Sequence, residues 1–153
     1  MLTAIDHIII GVNNLEQATT LFTQKLGLAV SGGGIHPTGG TANRIIVIGD
    51  TYLELIAVHT PAEAQESMLG RLAIREGYLN FVLASNDIET DSRAMANRGV
   101  SIIGPALGSL RAVDGRTRGW SRTNIERPDL AQRYPFIIQY DSIGEECRFH
   151  LTK

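Results

Sequence analysis

DHIIIGVNNLEQA, residues Asp6 to Ala18, lies over LNFVLASNDIETD, residues Leu79 to Asp91, and that superposition decides the fold. It sets His7 on Asn80, Asn13 on Asn86, Leu15 on Ile88 and Phe22 on Met95, a constant offset of 80 − 7 = 73. Identity is low, but strand, cap and helix keep step. In the first copy a β-branched run ends at Asn13-Asn14, whose side chains offer N-cap oxygens to a helix with Leu15, Ala18, Leu21, Phe22 and Leu26 on one face. Gly27 stops that helix. In the second copy Asn86-Asp87 caps a helix that carries Ala94 and Met95 and stops at Gly99.

Working outward, YLELIAV (Tyr52 to Val58) and PFIIQYD (Pro135 to Asp141) superpose as closing strands, with Glu54 on Gln139 at an offset of 139 − 54 = 85. The first copy gains a strand around Leu28 to Gly32 and another from Arg44 to Ile48. The extra length of the second lies between Gly108 and Arg133, with one strand expected from Thr117 to Ile125. A tandem duplication is the simplest reading. The fold class is α+β: two βαβββ modules, about 4–59 and 77–142, whose sheets form a curved cleft with the helices outside, and a C-terminal tail 143–153. Thr60-Pro61-Ala62-Glu63 has the pattern of a capping box with proline at N1, which predicts one connecting helix to about Arg75.

Length and charge narrow the function classes. The 153 residues suffice for one well-buried domain. Fourteen Lys+Arg against sixteen Asp+Glu argue against a nucleic-acid or anionic-membrane binder. No stretch approaches the ~18 apolar residues of a membrane span. MLTAIDH lacks the regions of a signal peptide, and the sole cysteine, Cys147, forms no internal disulfide, so a cytoplasmic location is expected. GGGIHPTGGTANR (Gly32 to Arg44) suggests a phosphate cradle, but such a loop needs a helix directly after it, and IIVIGD reads as a strand. No nucleotide cofactor is expected.

Two βαβββ modules with His7 on the first strand and Glu54 on the last resemble the vicinal oxygen chelate superfamily, which includes glyoxalase I, bleomycin-resistance proteins and extradiol dioxygenases. More narrowly, DHIIIGVNNLEQA, HP-x-G-G-T-x-N-R, YLELIAV and PFIIQYD together resemble the glyoxalase-like domain family, from about Ile5 to Asp141. The resemblance implies a cup with metal ligands on first and last strands. His7 and Glu54 would supply one half, and Ile5, His7 and Ile9 share a strand face, as do Tyr52, Glu54 and Ile56. The other half departs from the pattern, because Asn80 and Gln139 stand where His and Glu are expected. Amides are poor Zn²⁺ or Fe²⁺ ligands but good hydrogen-bonding groups, so both are assigned to the substrate.

A divalent metal (Zn²⁺, Ni²⁺, Mn²⁺ or Fe²⁺) would then rest on His7, Glu54 and His36. Glu54 and His36 are the candidate proton movers. Each residue also has a plainer reading: His36 as an exposed turn histidine beside Pro37, His7 as a hydrogen-bonded core histidine, Glu54 as a buried carboxylate paired with Arg44 or another arginine. Asn43, Arg44 and Trp120 are further substrate-binding candidates. Arg111, Arg118 and Arg122 could grip a carboxylate or form a solvated face. His59, Cys147 and His150 have no motif around them and read as structural. The expected function is binding of a small oxygenated molecule, with metal-assisted lyase or isomerase chemistry, or else non-catalytic binding of the bleomycin-resistance type. An extradiol dioxygenase would require His36 to reach an iron. Unpaired sheet edges and apolar helix faces imply a homodimer.

Overall fold

The structure is a computed structural model that describes residues 1–111, 115–126, 134–142 and 144. The first half runs β1 (Leu2–Gly11), α1 (Leu15–Thr20), β2 (Val30–Ile35), β3 (Thr41–Ile48) and β4 (Thr51–Val58). Two short helices follow, α2 (Pro61–Glu66) and α3 (Met68–Ala73). The second half runs β5 (Gly77–Ser85), α4 (Ile88–Asn97), β6 (Ile102–Arg111), β7 (Thr117–Ile125) and β8 (Phe136–Tyr140). Both halves are βαβββ, and their strands join in one mixed, curled sheet of order β2-β3-β4-β1-β5-β8-β7-β6.

The halves meet back to back. β1 pairs antiparallel with β5, while each first strand pairs parallel with its own last strand, β1 with β4 and β5 with β8. Ile9, Ile56, Leu79, Val82 and Ile138 pack across this seam. Ile88 and Met95 of α4 pack on Ile137 from the outer face, as their spacing predicts.

Local signals in the sequence account for most boundaries. Asn14 caps α1 by accepting the Gln17 N–H at 3.0 Å, and Asp87 caps α4 by accepting that of Thr90 at 3.1 Å. Gly27 and Gly99 follow their helices at φ +68° and +83°.

Four expectations differ. The helix expected through Leu26 widens after Thr20 into a π turn, Leu21–Lys25, where the Thr23 hydroxyl donates to the Thr19 carbonyl at 2.9 Å. The second strand begins at Val30 rather than Leu28 and takes in the glycines Gly32 to Gly34. The third strand, expected from Arg44, begins at Thr41, and β6 runs unbroken from Ile102 to Arg111. The connecting helix is broken: Thr60 makes no side-chain cap, and Ser67 is extended at φ −109°, ψ 149°. Ser67 instead starts α3, its hydroxyl accepting the Gly70 N–H at 2.8 Å and donating to the Gly39 carbonyl at 3.0 Å.

Candidate active site

Inside the curl lies a cavity of about 750 Å³. Strand alternation selects its walls. β1 contributes His7 and Ile9, β4 contributes Tyr52 and Glu54, and β3 contributes Thr41, Asn43 and Ile45. Opposite them stand Arg118, Trp120 and Arg122 of β7 and Phe136, Ile138 and Tyr140 of β8.

His7, only 3 % exposed, is held from three sides. Its Nδ1 lies 2.6 Å from Asp6 Oδ1, its Nε2 lies 3.4 Å from Glu54 Oε2, and its ring stacks on Tyr52 at 4.4 Å between centroids. Asp6 reaches it because β1 bulges between Ile5 and His7, so that adjacent residues Asp6 and His7 are both buried. Asp6 also accepts the Tyr140 hydroxyl at 3.1 Å, and Tyr140 meets the Tyr52 hydroxyl at 2.9 Å. Burial alone would lower the His7 pKa, but its hydrogen bonds to the Asp6 and Glu54 carboxylates and their charges raise it above 6.5. Burial likewise pushes Glu54 up, yet His7, His36 and Asn43 together bring its pKa down to about 2. Burial, the neighbouring Tyr140 and the nearby Asp6 and Glu54 hold the Tyr52 phenol well above its ordinary range.

The glycine loop closes the site. Asn43 donates from Nδ2 to Glu54 Oε1 at 2.6 Å, and its Oδ1 accepts the Gly34 N–H at 2.9 Å, an arrangement that orients the amide. His36 lines the cavity with Nδ1 fixed on the Thr41 hydroxyl at 2.8 Å and Nε2 at 3.8 Å from Glu54 Oε1. Gly40, at φ +63°, packs against the Thr60 carbonyl and the Ala64 amide nitrogen, where a Cβ would collide. The HP-x-G-G-T-x-N stretch is therefore one network around Glu54.

The structure brings together His7, His36, Asn43, Glu54 and Trp120, and separates Arg44, Asn80 and Gln139 from them. Arg44 follows Asn43 in the strand and so faces the other way, donating to the Asn43 carbonyl at 2.9 Å. Gln139 lies behind the sheet, accepting the Ile88 N–H at 2.7 Å at the start of α4. The Asn80 amide is occupied by the backbone, its Nδ2 donating to the Tyr134 carbonyl at 2.7 Å and its Oδ1 accepting the Phe81 N–H at 2.9 Å. Glu54 pairs with His7 rather than with an arginine. The side chains of Arg111, Cys147 and His150 fall outside the described residues; exposed His59 donates its N–H to the Gly40 carbonyl at 2.8 Å. Reading the sequence missed Asp6, Thr41, Tyr52, Phe136 and Tyr140. The parity of Tyr52 with Glu54 was the available signal for one of them.

The donor set does not fit the four-ligand metal centre implied by the resemblance. His7 is level with Tyr52, two residues before Glu54; in the second half Val82 is level with Phe136, two residues before Ile138. Among the described residues of the second half no carboxylate or imidazole takes up the pattern: β8 turns Phe136, Ile138 and Tyr140 to the cavity, and no residue of β5 lines it. Among the described residues no group of three or more His, Cys, Asp or Glu is arranged to hold a metal ion.

Residues 5–152 match the glyoxalase-like domain family. The chain belongs to that family. Its fold is that of the vicinal oxygen chelate superfamily. A hypothetical protein from Staphylococcus aureus superposes with a TM-score of 0.81 at 22% identity over 97% of this chain, which spans 65% of that one. Streptomyces coelicolor methylmalonyl-CoA epimerase, in complex with 2-nitronate-propionyl-CoA, superposes at 0.71 and 19% identity, covering 93% of this chain and 97% of its own. The Mycobacterium tuberculosis methylmalonyl-CoA epimerase gives 0.71 at 15%, covering 95% and 93%. At such identities these likenesses establish the fold. No curated protein matches the chain. No helix among the described residues is long and apolar enough to cross a membrane.

Proposed function

We propose that this glyoxalase-like protein binds a small oxygenated molecule in the cup and moves a proton on it, as a lyase or isomerase does. The observation that carries this reading is the buried Glu54, facing the cavity with His7 at 3.4 Å on one oxygen and His36 at 3.8 Å on the other. A carboxylate beside two imidazoles offers a proton acceptor and proton donors within reach of neighbouring atoms of one ligand. Glu54 takes the proton from the carbon next to a carbonyl, and the His36 N–H stabilises the oxygen on which charge develops. A carboxylate held at a pKa of about 2 is a weak base, so this donation from His36 is needed to make the carbon acidic. Asp6 fixes the ring of His7, which keeps Glu54 ionised and oriented. The Streptomyces coelicolor epimerase that shares the fold is solved with 2-nitronate-propionyl-CoA, and a small carbonyl compound is the corresponding ligand class here.

The test is hydrogen exchange into pyruvate and hydroxyacetone in deuterium oxide, followed by proton NMR. Wild-type protein is expected to accelerate loss of the C–H signal of at least one of them, and Glu54→Gln to abolish the acceleration. Equal rates for the two proteins would favour the non-catalytic binding reading, which the Phe136, Ile138 and Tyr140 side chains on the cavity also support.

A further inference from the structure

The wall facing Glu54 carries charge that the proton chemistry does not use. Arg118, Trp120 and Arg122 alternate along β7, so all three side chains enter the cavity. Arg118 is only 7 % exposed, and Arg122 is half-buried with its guanidinium 5.7 Å above the Phe136 ring. Neither is ion-paired or hydrogen-bonded to a carboxylate among the described residues. The acidic residues on the cavity are placed elsewhere: Glu54 is committed to His7 and Asn43, and Glu63 and Glu66 are exposed on α2.

A guanidinium stays charged at any physiological pH, and burying it without a counter-ion is costly. Two of them on one wall are a poor choice for stability alone. They are suited to a ligand that brings the missing negative charge, since the planar fork of arginine matches the oxygens of carboxylate and phosphate. Trp120 is set between them, with its indole packed against Gly108 of β6, where any Cβ would collide with the ring. Burial lowers the Arg122 pKa, the direction expected where no anion compensates.

We propose that Arg118 and Arg122 form an oxyanion subsite that holds the carboxylate or phosphate head of the ligand, leaving its carbonyl end against Glu54 and His36. The proposal rests on the reading of the cup as a ligand site and adds the substrate class: a small anionic carbonyl compound. Ile9, Ile45 and Ile138 line the space between the charged ends and suit a short apolar link.

Trp120 is the sole tryptophan, so its fluorescence reports on this wall directly. The full chain is titrated with cyclohexanecarboxylate, with its neutral carboxamide and with inorganic phosphate. The carboxylate or phosphate is expected to give a saturable change, and the carboxamide to bind at least about tenfold more weakly than the carboxylate if that is the head group held. Arg118→Met and Arg122→Met should each weaken the bound anion at least about tenfold while leaving any carboxamide response unchanged. Saturation by phosphate alone identifies a phosphate head; saturation by the carboxylate alone identifies a carboxylate. The subsite is overturned if the carboxamide binds as tightly as a saturating carboxylate, if neither anion gives a saturable signal, or if the substituted proteins bind like wild type. Should Arg118→Met fail to fold by circular dichroism, the half-buried Arg122→Met decides. Glu54→Gln separates the two readings: it should keep anion binding even though it stops proton exchange. Exchange on hydroxyacetone without Arg-dependent anion binding would sink the subsite and leave the proton chemistry standing.

Discussion

At Glu54, burial and partners pull in opposite directions, and the partners win. Its stabilising contribution is present above about 4.5, the ordinary value, and is lost as pH falls toward about 2. His7 shows the converse: its contribution is complete below 6.5 and is lost as pH rises through its raised pKa. The pair therefore favours the folded state most strongly between those ordinary values. Urea-unfolding midpoints measured from about pH 3 to 9 should fall on both sides of this window, and Glu54→Gln should flatten both limbs. A wild-type profile that the substitution leaves unchanged would show that the ion pair does not form. Asp6→Asn tests orientation: it should reduce proton exchange by at least about tenfold while anion binding persists. His7, His36 and Glu54 were legible in the sequence because of their residue types and strand parity. Asp6 was not, because simple alternation sets it on the face opposite His7 and only the bulge lets it reach the His7 ring.

Among the elements, register separates what could be read from what could not. Strand, cap and helix signals carried both halves, and the strand Thr117–Ile125 was placed to the residue. The offsets were less secure. The caps Asn14 and Asp87 keep the offset of 87 − 14 = 73, but β8 turns Ile138 rather than Gln139 to the cavity. A slip of two residues keeps a side chain on its face, but a slip of one turns it over, which is why Gln139 was assigned to the cavity and lies behind it. Correcting the register makes an expected outcome specific. Asn80→His with Gln139→Glu should leave Zn²⁺ affinity at the wild-type level by calorimetry, because Gln139 lies behind the sheet and the Asn80 amide is held by the backbone. A gain of about tenfold or more would show that both positions reach the cavity. Gly40→Ala belongs to the same scale. Its αL backbone and the crowding by Thr60 and Ala64 should cost about 1–3 kcal/mol and displace His36, read as a lower unfolding midpoint and slower exchange.

For the whole molecule, the seam between β1 and β5 leaves β2 and β6 as the two outer strands of the sheet. Leu107 on β6 is 90 % exposed, and Ile35 on β2 and Leu21 and Leu26 after α1 are also largely uncovered. Such edges and apolar side chains are the features that association covers, so a homodimer is expected. Light scattering at micromolar concentration should give twice the chain mass, and Leu107→Lys should shift it toward the monomer; a monomeric wild type would refute this.

The break at Ser67 has a mechanical consequence. Its hydroxyl begins the second connecting helix and also holds the backbone at Gly39, three residues from His36. The hinge between the halves and the latch on the histidine loop thus share one oxygen atom. Loss of that oxygen would therefore release the start of the second connecting helix and the backbone of the His36 loop together.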